Sequence, residues 1–499
     1  VASVIFLRWQ MPLQVVLEQW RPFPTLSTPP HLQIDASVWP YVFGLALLAL
    51  AFILTDSARL ETEARPLNWA AGLAITGLGI LAVMSANPLT LVLTWTAVDL
   101  VELLMVMSTA SGQRMGVQTV TVFAVRVAGT ALALVSILVA RSLGIPYELT
   151  PIPSQLAIFL LLAVGLRLGV LPLNIPYTRE VYAWRGLGNL MRMVGPASAL
   201  AVLGRMPEQV VPVAWEGVFT AFTILAIGYG AVMWTVQSDE LNGRPYWFIT
   251  LSAMAVTCVV NGQSASSIAW GTTLMFTGSM LFLYSARRRE ILFIPILGLL
   301  GMFGLPYTPS ASGWSGLVGG SFSPLVVVYI LAGLLLVWGY WRHMMRPREE
   351  LYRMERWVHT VYPTGLMFLV LGHWLVGVLG WPGSFTVGVW WASAALFLLS
   401  AMGLVLYYTF RGRLAARRAA GGGETVGMSW VGVLAHRAGR SLNAIFRLNW
   451  VYRIIVGIYH VAQWFIQTLT TMFEGDGGIL WSLVLLALLI SLLRAGGTP

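Results

Sequence analysis

The chain has 499 residues, 57% of them hydrophobic and only 10% charged, and its mean hydropathy is +0.76; soluble proteins carry about 25% charged residues, so a soluble globular enzyme is excluded. Net charge is +10, from 30 basic residues against 20 acids, and all 30 are Arg. In an apolar chain such an excess reads as membrane-loop charge rather than a nucleic-acid surface, and the single cysteine, Cys258, excludes an internal disulfide, a four-cysteine iron–sulfur site and a cysteine zinc ribbon.

Residues 1–37 contain an apolar stretch interrupted by Arg8 and Glu18. They lack a long uninterrupted apolar core and a small-residue cleavage site, so we expect a surface-lying helical segment and no cleaved signal peptide. From there to residue 409, apolar runs of spanning length fall at 38–55, 67–84, 89–108, 117–140, 156–172, 187–204, 213–235, 246–261, 267–285, 291–306, 322–341, 361–380 and 386–409. Residues 410–448 form a basic linker containing Gly421-Gly422-Gly423. In 449–474 an apolar helix carries Arg453, His460, Gln467 and Glu474 every seven residues. That polar stripe fits a lateral helix on the membrane surface or a span with the stripe turned toward protein. A last span falls at 478–494, within the C-terminal segment 478–499. The predicted fold is all-α and polytopic, with about fourteen transmembrane helices.

If the spans alternate, the loops on one side hold 21 Arg and the opposite loops with both termini hold five. The Arg-rich side is expected in the cytoplasm of a bacterial cell, with the N-terminus outside.

Charges inside spans are the candidate site. Asp99 and Glu102 lie three residues apart on one helix face, and Arg126, Arg167 and Arg192 fall in the next three spans at comparable depths. Left facing lipid, each carboxylate would cost about 2.5–3.5 kcal/mol at mid-bilayer, so the five are expected to form a buried network. Such a network either serves an ion path or locks helices together. The absence of Lys favours the lock, because Arg stays protonated and cannot relay a proton. After Arg167, Gly169 and two prolines four apart, Pro172 and Pro176, predict a broken helix.

Four stretches, Ile34-Asp35, Asn87–Glu102 (NPLTLVLTWTAVDLVE), Gly165–Asn174 (GLRLGVLPLN) and Gly301–Trp314 (GMFGLPYTPSASGW), resemble the antiporter-like subunits shared by respiratory complex I, Mrp cation/proton antiporters and membrane-bound hydrogenases. The resemblance covers residues 34–410 and implies a membrane subunit of an ion-translocating oxidoreductase or multisubunit antiporter, lacking the family's first two spans. It places Thr96, after Trp95, where the family has a Glu, Arg167 where it has a Lys, and Asn174 where it has a His. Ahead of Leu281-Phe282-Leu283, Leu274 and Gly278 stand where the family has a His and a Lys. With these charges altered, the resemblance implies a divergent copy with impaired proton conduction and a coupling or structural role. Asp99 and Glu102 then stand in for the lost Glu. The segment 449–474 corresponds to the lateral helix that some relatives use as a brace.

The resemblance also implies other membrane subunits as partners, with redox cofactors in those subunits and none on this chain; lipids are expected partners and nucleic acid is not. His359 and His373, fourteen apart on one helix, raise a haem reading, but bis-His ligation needs a matching pair on another span, which the other histidines do not supply. A self-contained cation/proton antiporter or other secondary transporter is the second functional reading, and a structural scaffold of an electron-transfer complex the third. No P-loop or Ser/His/Asp constellation points to a soluble catalytic site.

Overall fold

The computed structural model describes residues 1–17, 29–59, 66–109, 113–175, 185–286, 290–319, 323–346 and 355–419. Of its two compact units, Val1–Arg440 and Ser441–Pro499, the second lies wholly outside the described residues, and so do most of the basic linker, the polar-striped segment, the last expected span and Pro176.

The opening segment is not a single surface helix. A short helix α1 (Ala2–Leu7) precedes strands β1 (Leu13–Val16) and β2 (His31–Ile34), which pair antiparallel with Leu13 opposite Ile34. Leu13, Gln14, Val15 and Val16 alternate too weakly to signal a strand, and the ladder is completed by a partner fifteen or more residues on.

The bundle follows: α2 (Trp39–Asp56) with a 3-10 turn at Ser57–Arg59, α3 (Pro66–Val83), α4 (Pro88–Thr109), α5 (Gln113–Ser142), α6 (Ser154–Arg167), α7 (Arg185–Leu203) and α8 (Val213–Val236). After these come α9 (Glu240–Val260), α10 (Ser264–Leu283), α11 (Phe293–Met302), α12 (Ala311–Val318), α13 (Leu325–Met344), α14 (Val358–Leu379) and α15 (Trp390–Ala419). Among the described residues eight helices are long and apolar enough to cross a membrane: α2 to α5, α8, α13, α14 and α15. The chain is an all-α, polytopic membrane protein.

Helices α7, α9 and α10 are less apolar than these eight yet buried along almost their whole length. They form the interior of the bundle, where a helix surrounded by protein can carry Ser and Thr that a lipid-facing helix would not. In α10 the hydroxyls turn back on the helix itself: Thr272 and Thr273 both donate to the Ala269 carbonyl, at 3.0 and 2.8 Å.

Helix α6 stops at Arg167, five residues before Pro172, whose missing N–H cannot continue a helix. The stretch 291–306, expected as one span, is helical only over α11, which ends at Met302; residues 303–310 separate it from a second short helix, α12. Gly304 and Tyr307 both have positive φ there (74° and 62°), and the Ser310 hydroxyl donates to the Gly301 carbonyl at 2.6 Å. Pro306 and Pro309 carry the signal for this break.

The C-terminal end of α10 is gripped from three elements. Arg185 of α7 donates to the Phe282 carbonyl (3.0 Å), while Arg59 and the Tyr362 hydroxyl of α14 donate to that of Leu283 (3.0 and 3.2 Å). Carbonyls left over at a helix end are thus satisfied by side chains, two of them cationic as the helix dipole favours.

Candidate functional site: an intramembrane charge network

The network begins on α4, where Trp95, Asp99 and Glu102 recur at helical spacing on the buried face. Asp99 meets the Arg167 guanidinium side by side, with Nη1–Oδ2 at 2.6 Å and Nη2–Oδ1 at 2.8 Å. Two parallel charge-assisted hydrogen bonds of this kind fix both distance and orientation. Arg126 of α5 joins the two acids: its Nη1 hydrogen-bonds Glu102 Oε2 and lies 3.6 Å from Asp99 Oδ1. Arg192 of α7 donates to Glu102 Oε1 at 2.8 Å. The five charged residues of the sequence reading therefore come together, tying α4, α5, α6 and α7, with no side chain more than 9% exposed.

The supporting residues escaped the sequence reading. Arg167 Nη1 also donates to Thr130 Oγ1 (3.1 Å) and to the Arg126 carbonyl (3.3 Å). Its guanidinium lies 4.3 Å over the Trp95 ring, and the Trp95 indole N–H donates to Ser198 Oγ at 2.9 Å. Gly129 makes room for the Arg167 stem, since a Cβ there would stand 2.8 Å from Arg167 Cγ. Apolar-run patterns cannot reveal a glycine whose job is to clear a path for a side chain on the next helix. Beside Glu102 and Arg126 lies a small cleft of about 20 Å³, lined also by Asp99, Thr119, Phe123 and Arg192, with room for a water molecule or two at most.

The positions aligned by motif fare differently. Thr96 is outside the network: it sits on the exposed face of α4, and its hydroxyl returns to the Val92 carbonyl at 2.8 Å. One residue beyond buried Trp95 is a turn of about 100° away from the interior, whereas Asp99, four residues on, comes back to the same face. Asn174 is buried and holds the break after α6 through its side-chain amide, which donates to the carbonyls of Pro172 (3.0 Å) and Leu166 (3.4 Å). Leu274 and Gly278 are buried on α10. The Trp247 indole fills the space beside Gly278, where a Cβ would come within 2.5 Å of its Nε1, and it donates to the Leu274 carbonyl at 3.3 Å. Trp247 belongs to an aromatic cluster with Trp234, Phe282 and Tyr340.

His373 of α14 is buried against α10, with Nε2 3.5 Å from Thr273 Oγ1 and Nδ1 3.4 Å from Thr277 Oγ1, and its ring stacks on Phe276. His359 lies half-exposed at the start of the same helix. Among the described residues no group of three His, Cys, Asp or Glu is placed to hold a metal ion.

A further pair lies at the end of the bundle where α2 begins. Asp35 accepts from Arg205 Nη2 at 2.8 Å and from the Ser37 hydroxyl and amide at 2.5 and 2.9 Å. Burial works to raise the Asp35 pKa, but the Arg205 charge and the Ser37 hydrogen bonds outweigh it and hold the carboxyl below its ordinary value.

The fold has counterparts among solved structures. No protein-family model and no curated protein sequence matches the chain. Three solved structures are similar to it. One is a chain of the Mrp complex from Dietzia sp. DQ12-45-1b, with TM-score 0.68 and 13% identity, over 100% of this chain and 59% of that one. The second, from the membrane-bound sulfane sulfur reductase, an archaeal respiratory membrane complex, has TM-score 0.62 and 12% identity over 98% of this chain and 93% of that one. The third, from respiratory complex I of Thermus thermophilus, has TM-score 0.55 and 16% identity over 76% and 90%. This chain thus spans about three-fifths of the Mrp chain's length. The resemblance read from the motifs holds at the level of fold: the chain shares the fold of chains from an Mrp complex, the membrane-bound sulfane sulfur reductase and respiratory complex I.

Proposed function

We propose that the chain is a membrane subunit of a multisubunit, ion-translocating oxidoreductase or a related assembly, in which its intramembrane charges lock helices and couple movements instead of relaying protons. The observation that carries this reading is the closure of the network: Asp99 is held side by side by Arg167, and Glu102 lies between Arg126 and Arg192. A proton arriving at either acid would have to displace a guanidinium, and an Arg cannot pass the proton on. The neutral, tightly packed surroundings of Leu274 and Gly278 support the same reading. On this proposal redox cofactors belong to partner subunits, the membrane is the bacterial cytoplasmic membrane, and the Arg-rich loops face the cytoplasm.

The test is gentle extraction of native membranes followed by mass spectrometry of what migrates with the chain. Co-purifying redox or antiporter subunits, with no proton or sodium flux from the chain alone in liposomes, is the expected result. A lone monomer or homodimer whose flux disappears on Asp99→Asn would establish a self-contained transporter instead.

A further inference from the structure

An apolar cavity of about 530 Å³ lies between α1, α2 and α14, lined by Ile5, Phe43, Leu50, Phe368, Leu371 and Val378 among others. Its position within the two spans defines what it can hold. Leu50 and Phe368 sit near the middles of α2 and α14, while Phe43 and Val378 lie toward the end of the bundle where α2 starts and α14 finishes. From Phe368 to Val378 the groove follows ten residues of helix, roughly 15 Å. Half of a hydrocarbon core about 30 Å thick is the same length. An occupant of one leaflet's depth, elongated and without polar atoms along its length, is an acyl chain.

The mouth of the groove carries the complementary charge. Arg8, just after α1, donates from Nε to the Leu379 carbonyl at the end of α14 (2.5 Å), and its guanidinium lies 6.0 Å from the Trp39 ring. Those contacts fix the side chain where α2 begins and α14 ends, and its terminal nitrogens make no hydrogen bond to the described residues. A fixed cation at the end of an acyl-length groove is the arrangement a phosphodiester headgroup requires. We propose that this groove is a phospholipid site, with an acyl chain between α2 and α14 and the phosphate at Arg8.

The experiment is native mass spectrometry of the full chain in its extracted complex, titrated with palmitoyl-oleoyl phosphatidylglycerol. One phospholipid should bind more tightly than the rest. Arg8→Gln should weaken that event about fivefold, the effect of one Arg at a lipid surface. Palmitoyl-oleoyl glycerol, which lacks the phosphate, should bind wild type and Arg8→Gln alike. Leu371→Trp, at a side chain 48% exposed, should fill the groove and abolish the tight event while leaving the melting temperature unchanged. Equal retention of the lipid by wild type and both variants would overturn the proposal. So would attachment of a Leu371→Cys thiol to a peptide of residues 420–499 or of another subunit by a thiol-directed cross-linker. The native Cys258 is buried and does not compete.

Discussion

The region around α4, α5, α6 and α7 and the region around α9, α10, α13 and α14 solve the same physical problem, polar groups inside a membrane-spanning bundle, by opposite means. In the first, two carboxylates and three guanidiniums are set against one another at short range. In the second, charge is confined to the start of α9, where Glu240 pairs with Arg185 at 2.6 Å and Arg244 lies over the Phe282 ring; elsewhere Thr hydroxyls return to their own helix or approach His373, and indoles fill slots left by glycine. Gly243 and Gly339 both face Trp234, and Gly278 faces Trp247. One region is therefore held by cancellation of charge and the other by shape.

The two kinds of region should fail differently. Removing a single partner of the first, as in Arg167→Met, leaves Asp99 with its bidentate partner gone in a buried site and should cost about 3–5 kcal/mol. It should appear as a collapse of the thermal transition followed by tryptophan fluorescence. Arg167→Met combined with Asp99→Leu should recover most of that loss, because an apolar pair of similar volume replaces the ion pair. A double variant no more stable than the single one would show that the network is more than a lock. In the second region Gly278→Val should cost about 1–3 kcal/mol by overpacking against Trp247, and Trp247→Leu in the same chain should relieve it. A substitution at 278 that leaves the melting temperature untouched would mean that the aromatic cluster yields easily.

Smaller effects sharpen the picture at the edges of the two regions. Asn174→Ala removes two hydrogen bonds at the break after α6 and should cost about 1–2 kcal/mol, with faster amide exchange confined to residues 168–175. Asp35→Asn tests a pair outside the spans. A carboxyl whose pKa is lowered in the folded protein adds stability that is present above its unfolded value, near the reference 3.8, and is lost as pH falls through the folded value. The wild type should therefore lose stability on acidification below about pH 4, and Asp35→Asn should flatten that part of the melting-temperature profile. A profile unchanged by the substitution would assign the acid sensitivity to other carboxylates.

Much of this was legible in the sequence because charge inside an apolar run is conspicuous. Asp99, Glu102, Arg126, Arg167 and Arg192 stand out at once, and similar depths in neighbouring spans suffice to group them. Helix phase is harder. A motif that places Thr96 beside Trp95 follows the chain one residue at a time, while burial follows the helix at 100° per residue, so a match by adjacency can point outward. The interior helices were found as spans, but their position was hidden: α10 shows no apolar face because all its faces are buried. The 303–310 break went unread although Pro306 and Pro309 mark it, because 291–306 is apolar enough to pass for one span. Contacts such as Trp95 under Arg167, or Gly129 beside the Arg167 stem, arise only when two helices meet and have no signature along either.

The grip on the end of α10 also bears on how movement could pass through the protein. Its last carbonyls are held by Arg185, Arg59 and Tyr362, which belong to α7, the turn after α2, and α14. A pull on the connection that follows α10 therefore reaches three other elements before the helix itself begins to unwind. Such a joint behaves as a bracket: displacement applied at one corner is shared among α7, the turn after α2 and α14.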